Sequence, residues 1–390
     1  MNGGPLTPDR RTLLSIFAIA FGLRVLYAAV IGSDPDVIAN PLSYQHQVAS
    51  MIAAGSPWLG APVTPNAPGY ILVLALVYSI AGSHLWLGLL LNAFLGATTT
   101  VFLYRIGERR LAPGVGLLAA VWLGITVHQI HFASVLGRYV LVVFLWVWIF
   151  HIITQHFSRM RAAVWLGILV AVLLHVEPMF MLLVPVFALG FLAFATRHRL
   201  LNVQFTLLFV STVLMVSLPW AIRNALVYRE PIPIALEAIQ YTGPFTGVFV
   251  QKNPEMLQEL QGPHPRPTPW HNTVELWRVV RLTDSPGDAA RGVAPQSAWS
   301  LRHNLISLVN YGLLLPFLVT GVVIGWRRRN RAALALTMGV AGYWLLRAVY
   351  GANESARLPV EPLIILLAFY GAASILARRR RNRTAGVDST

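Results

Sequence analysis

The stretch TLLSIFAIAFGLRVLYAAVI, residues 12–31, contains a single charged side chain, Arg24. A helix needs about 20 predominantly apolar residues to cross the hydrocarbon core of a bilayer, and this stretch is long enough. It also lacks the small-residue cleavage site of a secretory signal peptide. The sequence therefore predicts a retained first transmembrane helix.

Apolar runs of similar length recur along most of the 390 residues. Hydrophobic residues make up 56% of the chain and charged residues only 12%, whereas a soluble domain carries about a quarter charged residues. The composition predicts an all-α, polytopic membrane helical bundle. Cysteine is absent from the chain, which excludes disulfides and thiolate metal sites.

The net charge of +15 is carried by arginine clusters that lie at the ends of the apolar runs. Such an arrangement is typical of the positive-inside rule and predicts that these ends, and both termini, are cytoplasmic. The basic charge thus indicates membrane lipids rather than nucleic acid as its partner. The clusters are Arg10/Arg11, Arg105/Arg109/Arg110, Arg159/Arg161, Arg197/Arg199, Arg327 to Arg331 and the terminal RRRRNR.

With every arginine cluster placed on the cytoplasmic side, the chain is predicted to have about ten transmembrane helices. The fifth and sixth are the shortest, because HVEP (residues 175–178) lies between them. The ten predicted spans are 12–31, 84–104, 113–133, 139–156, 162–176, 179–196, 203–222, 305–325, 332–350 and 359–377.

Two long segments lie outside these spans. Residues 32–83 form a predicted outer loop with a surface helix at 43–54 and a second surface or re-entrant helix at 68–81. Residues 223–304 are rich in proline and polar residues and predict a cap with short helices at 254–261 and 272–281. We therefore predict an N-terminal module (1–222, including the 32–83 loop), an extracytoplasmic cap (223–304), C-terminal transmembrane helices (305–383) and a disordered tail (384–390).

Several short motifs occur in an order that spans nearly the whole chain. They are GLRVLY (22–27), YQHQVASMIAAG (44–55), NAPGYILVLALVYSIAG (66–82), GATTTVFLYRIGERRL (96–111), LPWAIRNALVYREPIPI (218–234) and ARLPVEPLIILLAFYG (356–371). In this order the sequence resembles the multi-spanning glycosyltransferases of the C superfamily (GT-C). The resemblance is to the branch of the dolichyl-phosphate-mannose protein mannosyltransferases and bacterial aminoarabinose transferases.

The resemblance implies transfer of a sugar from a polyprenyl-phosphate carrier, with inversion at the sugar carbon, on the extracytoplasmic side. The acceptor is a lipid, a glycan or a protein. Because arginine dominates the basic residues and Lys252 is the single lysine, the genome is predicted to be GC-rich and hence bacterial. The predicted location is the bacterial inner (plasma) membrane.

This chemistry needs a carboxylate to accept the proton of the incoming hydroxyl. Asp34 and Asp36 lie just past the first span, where the resemblance implies an acidic residue, and are the predicted catalytic bases. If Tyr44 is aligned with the tyrosine of the family, however, the usual aspartate position is Asn40, which cannot accept a proton. Asn40 and Tyr44 are predicted to contact the substrate.

Cations or other donors must also hold the departing phosphate. Asn66 stands where the family often has a basic residue, so the predicted phosphate ligands include outer-face arginines. These are Arg138, Arg223 and Arg357, and the resemblance favours Arg357. Glu177 occupies a position that is basic in many members, and a carboxylate at that depth is typically paired or functional. Its predicted partners are His175 or Arg138.

A metal site is not predicted. His128, His131 and Asp36 are residue types that can bind a metal ion. Their spacing matches no metal-binding motif such as His-Glu-x-x-His, so the sequence does not support a site. No cofactor is predicted either.

Two other functions stay open. Asn40, Asn66 and the acidic Glu177 favour a catalytically degenerate relative that binds a lipid-linked sugar or a partner. A lipid or sugar transporter is the weaker alternative, because no inverted repeat is visible.

Overall fold

A computed structural model of the protein describes residues 10–31, 42–56, 67–194, 196–228, 268–277, 301–350 and 357–387. All regular secondary structure in these ranges is helical, which confirms the predicted fold class.

Ten helices occupy the part of the chain before residue 229. They are α1 (Arg10–Ile31), α2 (Leu42–Ala53), α3 (Gly69–Ala81), α4 (Leu85–Ile106), α5 (Val115–Ile125), α6 (Val127–Ala133), α7 (Tyr139–His156), α8 (Met160–Val176), α9 (Val184–Phe194) and α10 (Arg199–Tyr228). A π-helical turn, Gly107–Leu111, extends α4, and a 3₁₀ helix, Pro178–Leu183, precedes α9.

The later described ranges contain five further helices. They are α11 (Pro269–Trp277), α12 (Leu301–Asn310), α13 (Leu315–Arg327), α14 (Arg331–Tyr350) and α15 (Glu361–Val387). A 3₁₀ turn, Gly312–Leu314, joins α12 to α13.

Seven helices within the described ranges are long and apolar enough to cross a membrane, and there are eight if the bent pair α5–α6 is one span. This number is smaller than the ten predicted, because the fifth and sixth predicted spans are shorter than required. They correspond to Met160–Val176 and to Pro178–Ala193. Between them the backbone of Glu177 is extended and Pro178 begins a new helix, so the two apolar runs are separate short elements.

The predicted helix at 68–81 is present as α3, and it is packed against protein. Gly69 lies against the backbone of His175 and the side chain of Val176, at the end of α8. Tyr70, Leu74 and Tyr78 are fully buried. One face of α3 therefore packs against protein, while Leu76 and Ile80 on the other face are exposed.

Trp146 is at the centre of the core. Its ring contacts the rings of Phe150, Phe180 and Tyr343, which belong to α7, the 3₁₀ helix and α14. Buried aromatic pairs of this kind stabilise a core through large contact areas. The contacts of Trp146 therefore join the N-terminal half of the described chain to its C-terminal half.

The arginine clusters meet at one end of the bundle, here called the arginine-rich end. Arg110, after α4, donates from Nε to Gln155 Oε1 at 3.0 Å, and Asn330, before α14, donates to the carbonyl of Arg110 at 3.2 Å. Arg328 contacts Ser374 of α15. That this end is cytoplasmic stays a prediction from the charge pattern.

Parts of the predicted organisation lie outside the described residues. Of the predicted cap helices, 254–261 lies outside them, and 272–281 overlaps α11, which is described to Trp277. The final helix continues to Val387 and includes residues 384–387, for which the sequence predicted a disordered tail. The division into modules stays a prediction.

Helices α13 and α15 pack backbone to backbone. A Cβ atom on Gly321 would overlap the carbonyl oxygen of Leu367, and one on Gly371 would overlap the carbonyl oxygen of Phe317. Small residues commonly allow this close approach between helices in membranes. Both glycines are therefore required by packing.

We expect Gly321→Ala to destabilise the protein by about 1–3 kcal/mol, because the added methyl forces α13 away from α15. The matched control is Gly190→Ala in α9, where a Cβ has no neighbour within 4 Å among the described residues. The control should be neutral or stabilising, since alanine is the better helix former. Midpoints of thermal unfolding in detergent compare the two variants, and equal midpoints would contradict the packing argument.

Candidate functional site

A polar cluster lies at the end of the bundle opposite the arginine-rich end. It begins where the chain bends by 57° between α5 and α6. Thr126 forms the bend with an extended ψ of 112°, and its hydroxyl donates to the carbonyl of Trp122 at 2.7 Å. The bend places His128 and Gln129 beside the start of α15.

Glu361, at the start of α15, accepts from three side chains. His128 Nδ1 lies 2.9 Å from Oε1, Arg357 Nε lies 3.2 Å from the same oxygen, and Gln129 Nε2 lies 2.9 Å from Oε2. The side chain of Glu361 is only 7% exposed. A buried carboxylate is costly unless it is paired and hydrogen-bonded, and Glu361 is both.

Arg357 is held on a second side by an aromatic ring. Its guanidinium lies 4.0 Å from the centre of the Tyr311 ring, which is a cation–π contact. Tyr311 itself packs near Trp277 of α11, and Trp122 of α5 donates to the carbonyl of Asn310 at 3.1 Å. The orientation of Arg357 is therefore fixed by Glu361 and Tyr311 together.

Glu177 forms a second buried ion pair. Its Oε2 lies 3.2 Å from Nε of Arg138, and the two side chains are 3% and 26% exposed. Glu177 sits in the extended break between α8 and the 3₁₀ helix, while Arg138 immediately precedes α7. The pairing explains how an acidic group is accommodated between two apolar runs.

Phe132 connects the two ion pairs. Its ring makes edge contacts with His128 and with Tyr139, the residue after Arg138. On α14, Arg347 donates to the hydroxyl of Tyr343 at 3.0 Å. The Glu361 and Glu177 pairs therefore belong to one polar region, which we call the polar end.

The charge at the polar end is positive. Four arginines outnumber two glutamates among the side chains described there, and a net positive, partly buried site favours an anion. The arginines are Arg138, Arg223, Arg347 and Arg357, and the glutamates are Glu177 and Glu361.

Arg223 lies beside a different group of residues from Arg138 and Arg357. It donates to Asn224 Oδ1 at 3.0 Å, and its guanidinium lies 5.1 Å from the centre of the Trp220 ring. Trp220 in turn meets His175 edge to face, near the end of α8. The structure thus places Arg223 at the polar end, beside Asn224 and Trp220.

Four of the five predicted loop residues lie outside the described ranges. Asp34, Asp36, Asn40 and Asn66 lie outside the described residues, and Tyr44 belongs to α2 without a described side chain. Their assignment as catalytic or substrate-binding residues stays a prediction.

The sequence did not predict the roles of Glu361, of its partner Gln129, or of Tyr311, which contacts Arg357. One signal was present, because Arg357 and Glu361 are four residues apart and can meet on one helical turn. The contact between His128 and Glu361 joins residues 233 positions apart, and no local pattern predicts it. Within the part of the chain that the structure describes, no group of three or more histidine or carboxylate side chains is arranged to hold a metal ion.

Comparison with known proteins gives a match in structure and none in sequence. No protein-family model matches the chain, and no curated protein shows significant sequence similarity to it.

Solved structures of the oligosaccharyltransferase of Archaeoglobus fulgidus share the fold. The apo form superimposes with a TM-score of 0.59 at 15% identity, over 97% of this chain and 52% of that chain. The complex with zinc and sulfate also has a TM-score of 0.59, at 14% identity, over 96% and 50% of the two chains. The chain has a GT-C-like fold.

A third structure of that enzyme, called AglB, is a complex with an inhibitory peptide and a dolichol-phosphate. It has a TM-score of 0.56 at 14% identity and covers 96% of this chain and 51% of that chain. This chain therefore spans about half the length of the matched structures. At this identity the likeness shows the fold, and the mannosyltransferase and aminoarabinose branch stays a prediction.

The Arg138–Glu177 pair predicts an asymmetric response to mutation. Arg138→Ala leaves Glu177 almost fully buried without this cation and should cost about 3 kcal/mol or more. Glu177→Ala should cost less, because a quarter of the Arg138 side chain is exposed and can be hydrated.

The double variant should be more stable than Arg138→Ala alone, because it removes the buried charge as well as the pair. Unfolding midpoints of the four proteins in detergent give the coupling energy. Additive effects of the two substitutions would contradict a direct interaction.

Proposed function

We propose that the protein is an integral membrane glycosyltransferase that takes a sugar from a polyprenyl-phosphate carrier. The observation that carries the proposal is Arg357, held between Glu361 and Tyr311 at the polar end of a GT-C-like fold. A fixed guanidinium is well suited to bind a phosphate, because its planar donors match the phosphate oxygens.

The proposed reaction is a displacement with inversion. An acceptor hydroxyl oxygen forms a bond to the anomeric carbon as the bond from that carbon to the carrier phosphate oxygen breaks. The hydroxyl proton goes to a carboxylate, for which we propose Asp36 or Asp34. The bonding electrons leave with the phosphate, whose negative charge therefore increases during the step.

We assign phosphate binding to Arg357 and Arg138, with Arg223 as a further candidate. Each carries a permanent positive charge, and Arg357 and Arg138 are each held by a glutamate. Preorganised charges of this kind stabilise a transition state because they need no reorganisation when the leaving group becomes charged. Glu177 contributes to the substrate site by positioning Arg138.

The remaining predicted contacts are assigned to the first outer loop. Asn40, Tyr44 and Asn66 are proposed to contact the sugar or the carrier. The polar end is proposed to face the extracytoplasmic side of a bacterial plasma membrane, with both termini in the cytoplasm.

For the acceptor, the proposal includes a lipid, a glycan or a protein. One of the solved A. fulgidus enzymes is tethered to an acceptor peptide containing an NVT sequon.

A second candidate is a non-catalytic relative that binds a lipid-linked sugar or a partner. Asn40 and Asn66 favour it, because amides replace the acidic and basic groups that the resemblance implies at these positions. Both candidate functions require binding of the lipid-linked sugar donor, but only the glycosyltransferase turns the donor over.

The first experiment is a transfer and hydrolysis assay on the purified protein in lipid, with a panel of polyprenyl-phosphate sugars. We expect donor-dependent turnover by the parent and a loss of about 10²–10⁴-fold in the Asp34→Asn/Asp36→Asn double variant, the range typical of a general base.

Full activity in this double variant would refute the assignment of the base. Donor binding without turnover by the parent would instead favour the non-catalytic relative.

Arg357 gives an independent test. Arg357→Gln should lower kcat/KM by about tenfold or more, because it removes a charge-assisted contact to phosphate and frees Glu361 from one partner. The control is Arg161→Gln, an exposed arginine at the arginine-rich end, which should keep parental kinetics. Equal losses in both variants would indicate a general effect of arginine removal and contradict the assigned role.

A further inference from the structure

His128 is the most exposed of the three residues that contact Glu361. Its Nδ1 contacts Glu361, and a quarter of its side chain is exposed. Among the described residues no hydrogen bond to Nε2 of His128 is present, so a ligand that reaches this nitrogen displaces none of them.

The proton on Nδ1 follows from the other contacts of Glu361. Because Glu361 also accepts from Arg357 and Gln129, it acts as a carboxylate with no hydrogen to donate. The hydrogen in the His128 contact therefore belongs to Nδ1. A histidine fixed in this way can present a second N–H from Nε2 when the ring is protonated, and the carboxylate stabilises the resulting positive charge.

Arg357 and His128 share one carboxylate oxygen. Both lie within 3.2 Å of Oε1 of Glu361, which brings the guanidinium and the imidazole close to each other. A phosphate that approaches Arg357 therefore comes close to the imidazole of His128. The ring of Phe132 packs edge-on against His128 and limits its rotation.

We propose that His128 is a phosphate ligand of the donor site and donates from Nε2 to the departing phosphate. This inference rests on the proposed function and adds a residue to it. In the donor the phosphate is a diester with one negative charge. After the bond to the sugar carbon breaks, the carrier phosphate is a monoester that can carry two. The contact of a protonated His128 thus strengthens as the leaving group gains charge, which accelerates the step.

The test compares two lipids that differ in this charge. Undecaprenyl phosphate represents the monoester, and its methyl ester represents the diester without requiring knowledge of the sugar. Dissociation constants are measured for the full-length protein in nanodiscs, and turnover is measured with the donor that the parent uses. The variants are His128→Gln and, as matched control, His131→Gln, three residues further along α6 and paired with Tyr27 rather than Glu361.

We expect His128→Gln to weaken binding of the monoester about tenfold or more, the effect typical of losing a charge-assisted hydrogen bond. Binding of the methyl ester should weaken by less, and kcat should fall. His131→Gln should bind both lipids like the parent. His128→Lys restores a cation beside Glu361 and should recover part of the preference for the monoester, which separates the lost charge from any loss of folding.

Several outcomes would overturn the inference. If the parent binds the monoester or turns over a donor and His128→Gln has unchanged affinities, His128 is not a phosphate ligand, while the proposed function survives. If kcat falls with both dissociation constants unchanged, His128 acts on another proton rather than on the phosphate. If the parent neither binds these lipids nor uses any donor, the proposed function fails and the inference fails with it.

Discussion

The structure of the polar end depends on the hydrogen bonds and ion pairs that a buried carboxylate requires. Glu361 lies among apolar helices, where an uncompensated charge is expensive, and it is stabilised by His128, Gln129 and Arg357. His128 and Gln129 belong to α6, which follows the bend at Thr126, and Arg357 lies just before α15. The contacts that stabilise the buried charge of Glu361 therefore also fix the positions of His128 and Arg357 relative to each other. The stability of the fold and the geometry of the candidate site thus depend on the same interactions.

Glu177 and Arg138 follow the same physical rule at a second position. Glu177 lies between two helices that are each too short to cross a bilayer alone, and its ion pair joins the break after α8 to the turn before α7. Irregular backbone at such depth is tolerated where protein surrounds it. Short helices, bends and buried charge thus occur together at the polar end, while Arg109, Arg110 and Arg327 to Arg329 at the arginine-rich end are exposed.

The GT-C-like fold is retained at 14–15% identity to the matched structures. Membrane helices tolerate such divergence because any apolar side chain satisfies the lipid-facing positions, and packing needs small residues at only a few places, such as Gly321 and Gly371. The chemistry of the site tolerates less exchange. For this reason the assignment of function relies on the charged and polar side chains of the polar end rather than on the shape of the bundle.

The sequence by itself determined the class of fold, most of the spans and the end of the bundle at which arginines gather, because length, hydropathy and charge at helix ends are local properties. It also identified Arg138, Glu177 and Arg357 as residues of interest, since charge near apolar runs is conspicuous. It could not determine which of His175 and Arg138 pairs with Glu177, or that Glu361 contacts His128, which is 233 positions away. Only the tertiary structure decided these contacts, because they depend on how distant helices pack and on the bend at Thr126, which no local pattern encodes.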